Sequence, residues 1–137
     1  MNPAPMPYVT ALYAGILILL LVALAFPISR LRGKLRTGIG DGGHPELARA
    51  IRAHANLSEW GVPVLLLLLL AELNRAPVMF LHVAGITLVI ARLLHAFGLS
   101  RSGGASFGRM YGTGLTWLVL IVLAVWDIWA FARLVLR

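Results

Sequence analysis

The stretch RAIRAHANLSEWGVPVLLLLLLAEL, from Arg49 to Leu73, decides how this chain is read. Its second half, from Val62, is apolar enough to sit in a bilayer. Its first half carries Arg49, Arg52, His54, Asn56 and Glu59. At about 100° per residue, Arg49, Arg52, Asn56 and Glu59 fall within about 80° of one helix face. A charge at mid-bilayer costs about 2.5–3.5 kcal/mol on insertion scales. Nearer the interface the cost is lower, but these side chains still need partners. The stretch therefore predicts a membrane helix with a polar face at one end.

The rest of the chain agrees. Of its 137 residues, 60% are hydrophobic and only 12% are charged, whereas a soluble domain is about half apolar with about a quarter charged. The length suits a single domain over residues 1–137. With no cysteine there is no disulfide framework, thiolate metal site or cysteine nucleophile. The net charge of +7 is explained here by basic loops facing anionic lipid, so a nucleic-acid partner is not expected. The N-terminus lacks a basic n-region and its apolar run is too long for a signal peptide, so it reads as a retained first helix.

Spanning a hydrocarbon core of about 30 Å takes about 20 helical residues. Four stretches qualify: 8–30, 45–73, 77–99 and 109–136. The breaks carry turn chemistry: TGIGDGGHP at Thr37–Pro45, ELNRAP at Glu72–Pro77 and SRSGGASFG at Ser100–Gly108. Arg30, Arg32, Lys34 and Arg36 follow the first span, and Arg101 and Arg109 flank the third break. The second break holds only Arg75. The positive-inside rule then puts the first and third breaks in the cytoplasm and both termini outside. Tyr8, Trp126 and Trp129 would form an outer aromatic belt, with Asp127 as an interfacial carboxylate.

Counting from Arg75 brings the polar residues to one depth. Glu59 lies 16 and Asn56 lies 19 residues before it; Arg92 lies 17 and His95 lies 20 after it. In an antiparallel pair, equal counts mean equal depth, which predicts an ion pair between Glu59 and Arg92. Arg109 arrives at the same end as the fourth span begins, and Arg30 and Arg32 as the first one ends. A self-satisfied network would balance its charges, whereas here three to five arginines converge on one carboxylate. Such a pocket asks for a ligand with more than one carboxylate or phosphate, and an amine for Glu59.

RAHANLSE at Arg52–Glu59 resembles the helix-two motif of the MAPEG family, the membrane-associated proteins of eicosanoid and glutathione metabolism. PELARAIR at Pro45–Arg52, ARLLHAFG at Ala91–Gly98 and GDGG at Gly40–Gly43 fit the same family, and the resemblance covers nearly the whole chain. It implies an all-α, four-helix membrane bundle assembled as a homotrimer in a bacterial inner membrane. It further implies a glutathione cleft between subunits, open to the cytoplasm. Arg52, Asn56, Glu59, Arg92 and His95 would then bind glutathione, with Arg30 or Arg32 supplied by the neighbouring subunit. Tyr111 would also contact glutathione, and Arg109 would stabilise the thiolate, with Arg101 as its substitute. The sequence departs from the family at Leu99 and Thr113, where relatives carry tyrosine.

Three functions remain open at this stage. A glutathione transferase or peroxidase acting on lipophilic electrophiles or lipid hydroperoxides comes first. A non-catalytic glutathione- or lipid-binding scaffold is second. A small exporter is third; proton coupling asks for an acidic residue within a span, but the first and third spans have none, and Glu59 and Asp127 lie near opposite interfaces. The four histidines show no ligand-like grouping, so no metal is expected. His54 reads as a headgroup or subunit contact.

Overall fold

The computed structural model describes residues 6–101, 104 and 106–136. Ser102, Gly103, Ala105 and Arg137 lie outside the described residues. The chain forms four helices: α1 (Tyr8–Leu35), α2 (Pro45–Leu73), α3 (Val78–Arg101) and α4 (Phe107–Val135). All four are long and apolar enough to cross a membrane.

The helices keep to the predicted spans, with two informative differences. α1 continues past Arg30 to Leu35. Arg30, Arg32 and Lys34 therefore lie on its final turns and not in the loop. Nothing in that stretch breaks a helix, and basic side chains complement the negative end of the helix dipole. The helix stops at Arg36, whose φ of 50° is left-handed and whose N–H donates to the Arg32 carbonyl. Thr37–His44 then turns on Gly40, Gly42 and Gly43, all at positive φ, where a residue without Cβ avoids strain. Pro45 opens α2 at the first helical turn, a position that needs no N–H. α4 starts two residues earlier than expected because Ser106 caps it, accepting from the Arg109 N–H.

α2 and α3 form the centre of the bundle. α1 packs on one side of this pair and α4 on the other, and among the described residues α1 and α4 do not touch. The core runs through Tyr13 and Leu17 of α1, Val64 and Leu68 of α2, Leu81 and Leu88 of α3, and Leu123 of α4. Close approach depends on small residues, as is usual between helices in lipid, where packing replaces the hydrophobic drive. A Cβ on Gly85 would lie 2.3 Å from two carbons of the Tyr13 ring. Gly98, Gly108 and Gly112 do the same for α3 and α4, letting the start of α4 lie directly on the end of α3.

Candidate functional site

The polar face of α2 divides into an inner and an outer part. Asn56 points inward and is buried. Arg52 and Glu59 point outward, with side chains 58% and 47% exposed. They form a two-pronged ion pair, Nη1 to Oε1 at 3.0 Å and Nη2 to Oε2 at 3.1 Å. Seven residues bring two side chains back to nearly the same face two turns apart, and an arginine is long enough to close that distance.

The expected Glu59–Arg92 pair is therefore not formed. Arg92 is 3% exposed and is held by neutral acceptors on two other helices. Its Nη1 donates to Asn56 Oδ1 at 2.7 Å. Its Nη2 donates to the Gly112 carbonyl at 3.0 Å and to the Thr116 hydroxyl. The Thr116 hydroxyl itself donates to the Gly112 carbonyl at 2.8 Å. The depth count was right, but depth does not set rotation about the helix axis, and Asn56 is the residue rotated inward. The result is a guanidinium inside the bundle with no carboxylate against it, joining α2, α3 and α4.

Gly112 makes this possible. A Cβ there would lie 2.6 Å from the Ala91 carbonyl and 2.8 Å from the His95 N–H nitrogen. Gly108 and Gly112, four residues apart, form a small-xxx-small face. That spacing, with Thr116 one further turn along, is the sequence signal that could have found the partners of Arg92.

His95 is buried one turn beyond Arg92, and its Nδ1 lies 3.2 Å from the Thr113 hydroxyl. His95 and Thr113 line an open pocket of about 520 Å³ together with Ser106, Arg109 and Trp117. That volume is within the range of small-molecule sites. Trp117 reaches α2 through its ring contact with Trp60, centroids 6.5 Å apart. Arg109 also donates from Nη1 to the Gly104 carbonyl at 2.6 Å. Arg101 instead lies over the Phe97 ring at 4.1 Å, so Arg109 is the arginine at the pocket.

Three expected site residues stand apart from this group. Tyr111 is exposed and stacks on Phe107, centroids 4.0 Å apart; it does not line the pocket. Arg32 closes the end of α1, donating to the Thr37 carbonyl at 3.2 Å and the Gly38 carbonyl at 3.0 Å. Arg30 is exposed on the surface of α1.

The opposite end of the bundle holds polar contacts that sequence reading missed. The Glu72 carboxylate accepts from the Val9 N–H at 2.8 Å and the Thr10 N–H at 2.7 Å. It thus caps α1 from another helix, where Pro7 supplies no side-chain cap. The Tyr13 hydroxyl lies 2.9 Å from His82 Nδ1. Asp127 differs from an ordinary interfacial carboxylate, because both its oxygens are buried without a hydrogen-bond partner.

Four helices long and apolar enough to cross a membrane, with a guanidinium buried among them and a pocket lined by His95 and Arg109 at one end, define an integral membrane protein with a polar centre. The family is shown directly: the MAPEG family model matches residues 10–129, and the chain belongs to that family. It is also similar to the inner membrane protein YecN of Escherichia coli strain K12. The two are 36% identical over 121 residues, which cover 88% of this chain and 91% of the relative. The YecN of Escherichia coli O6:H1 strain CFT073 is equally similar, at 36% identity over the same shares.

Proposed function

We propose that the protein sits in a bacterial inner membrane as a homotrimer and binds glutathione at its cytoplasmic end, in clefts between subunits. The observation that carries this reading is Arg92. A buried guanidinium that bonds only to neutral acceptors through its two Nη atoms, with its Nε unpartnered, leaves a positive field for an anionic ligand. Arg109, on the same pocket as His95, adds to it. Glutathione, with two carboxylates and one ammonium, suits such a site. Arg52 and Glu59, paired to each other and exposed, can exchange that contact for a ligand carboxylate and ammonium respectively. Arg30, exposed on α1, is the better placed of the two candidates to reach a neighbouring subunit.

Positive charge near a bound thiol favours the thiolate, and a thiolate is the nucleophile needed to displace a leaving group from a lipophilic electrophile or to reduce a lipid hydroperoxide. In this reading Arg109 faces the sulfur. The second reading is binding without chemistry, and Tyr111 favours it: the tyrosine nearest the expected catalytic position stacks on Phe107 away from the pocket.

Two titrations on purified variants test the proposal. Arg52→Ala should weaken glutathione binding about 10- to 150-fold, the loss of one charge-assisted contact worth about 1.5–3 kcal/mol. Arg109→Ala should keep most of the affinity but lose thiolate absorbance at neutral pH and turnover of a generic aryl halide. Parent-like binding by Arg52→Ala would make the α2 face structural. Tight binding by the parent without turnover would select the binding-only reading.

A further inference from the structure

The end of the bundle away from the basic α1–α2 loop holds a second pocket, of about 290 Å³, where the α2–α3 turn meets the end of α4. Asn74, Arg75, Trp126, Trp129 and Arg133 line it. Among the described residues neither arginine side chain makes a hydrogen bond or ion pair; Arg133 lies over the Trp129 ring at 4.7 Å. Neither acid at this end lines the pocket. Glu72 is bonded to the start of α1, and Asp127 is not part of the lining.

The charge arithmetic leaves a surplus. Two guanidiniums face the C-terminal ends of α2 and α4, each equivalent to about half a negative charge. Counting only these groups, about one positive charge remains, enough for one phosphodiester. The backbone adds an independent observation. Arg75 has φ +60°, a conformation that costs a residue with a Cβ roughly 1–2 kcal/mol and that glycine adopts readily. An arginine stands where the turn would prefer glycine.

Below this pocket, on the same α4 face, runs an apolar groove of about 400 Å³. Phe80, Ile121 and Val125 line it, and it shares Trp126 and Trp129 with the pocket above. From Arg133 to Ile121 the helix rises about 18 Å, slightly more than one leaflet's hydrocarbon depth of about 15 Å. A cationic head site thus continues into an acyl-length groove, with two tryptophans at the junction, where such rings favour the membrane interface.

We propose that this surface is a binding site for one anionic phospholipid of the leaflet opposite the basic loop, its phosphate between Arg75 and Arg133 and an acyl chain along Phe80, Ile121 and Val125. This site is separate from the glutathione pocket and does not depend on it.

The test uses the full chain in non-ionic detergent and phosphatidylglycerol with brominated acyl chains, which quench nearby tryptophan fluorescence. Saturable quenching should appear, competed by unbrominated phosphatidylglycerol at least tenfold better than by phosphatidylcholine and unaffected by inorganic phosphate. Arg75→Gly suits the positive φ and preserves the turn. Combined with Arg133→Gln, it should abolish the preference for the anionic lipid, while each single variant weakens it. Equal competition by the two lipids would overturn the proposal, as would a preference that survives in the double variant. Competition by inorganic phosphate alone would make the pocket a free-anion site and overturn it too. So would absent quenching together with self-association that the double variant disrupts, since a second copy would then be the occupant.

Discussion

Gly112→Ala tests whether the meeting of α3 and α4 builds the site. The added methyl would lie 2.6 Å from the Ala91 carbonyl oxygen and 2.8 Å from the His95 backbone nitrogen. Comfortable contact begins near 3.5 Å, so the helices must part by roughly 0.7–0.9 Å. A displacement of that size takes the 3.0 Å bond from Arg92 Nη2 to the Gly112 carbonyl past hydrogen-bonding range. Overpacking costs about 1–3 kcal/mol, and the lost charged hydrogen bond about 1.5–3 kcal/mol. Alanine returns about 1 kcal/mol in helix propensity. The net loss is about 1.5–5 kcal/mol, a fall in Tm of at least about 4 °C in detergent followed by circular dichroism. Gly15→Ala is the matched control, because its Cβ meets nothing within 4 Å; it should melt at or above the parent. If Gly112→Ala melts with Gly15→Ala, the close approach does not hold Arg92 in place.

Other substitutions probe the remaining contacts. Arg92→Met should strand Asn56 and Thr116 without their donor and cost about 2–5 kcal/mol in the same melting assay, and it should abolish glutathione binding by calorimetry. Glu72→Gln should speed amide exchange at Val9 and Thr10 and lower stability by about 0.5–2 kcal/mol, the value of a helix cap; unchanged exchange would deny the cap. Tyr13→Phe removes only the hydroxyl facing His82 and should cost about 0.5–1.5 kcal/mol, far less than Tyr13→Ala. Reporter fusions in the α1–α2 loop and at the C-terminus should report cytoplasmic and external positions respectively; the reverse pattern would put the proposed glutathione pocket on the wrong face.

The spans were legible because a bilayer demands long apolar runs, and the glycine and proline clusters between them left little choice of boundary. α1 outran its expected end because hydropathy marks where the membrane stops, not where the helix does. Within the site, the levels of Asn56, Arg92 and His95 could be counted from the α2–α3 turn. Partners could not. Glu59 was closer to Arg92 in depth than Asn56 but turned away, and its own helix offered Arg52. The acceptors on α4 were hidden for a different reason: one is a backbone carbonyl, which no residue type announces. Glu72 was read as part of a turn because its partners, the first amides of α1, lie 62 and 63 residues away in the chain.

That carboxylate also bears on the order of assembly. α1 leaves the ribosome before α2, yet two of its opening amides are satisfied only by the last turn of α2. Until α2 has crossed, α1 carries those donors at the far surface with water as their only alternative. The two spans thus form a hairpin completed by a single side chain. The first span gains its finished end only after the second has been threaded back, so the two helices become a complete unit together.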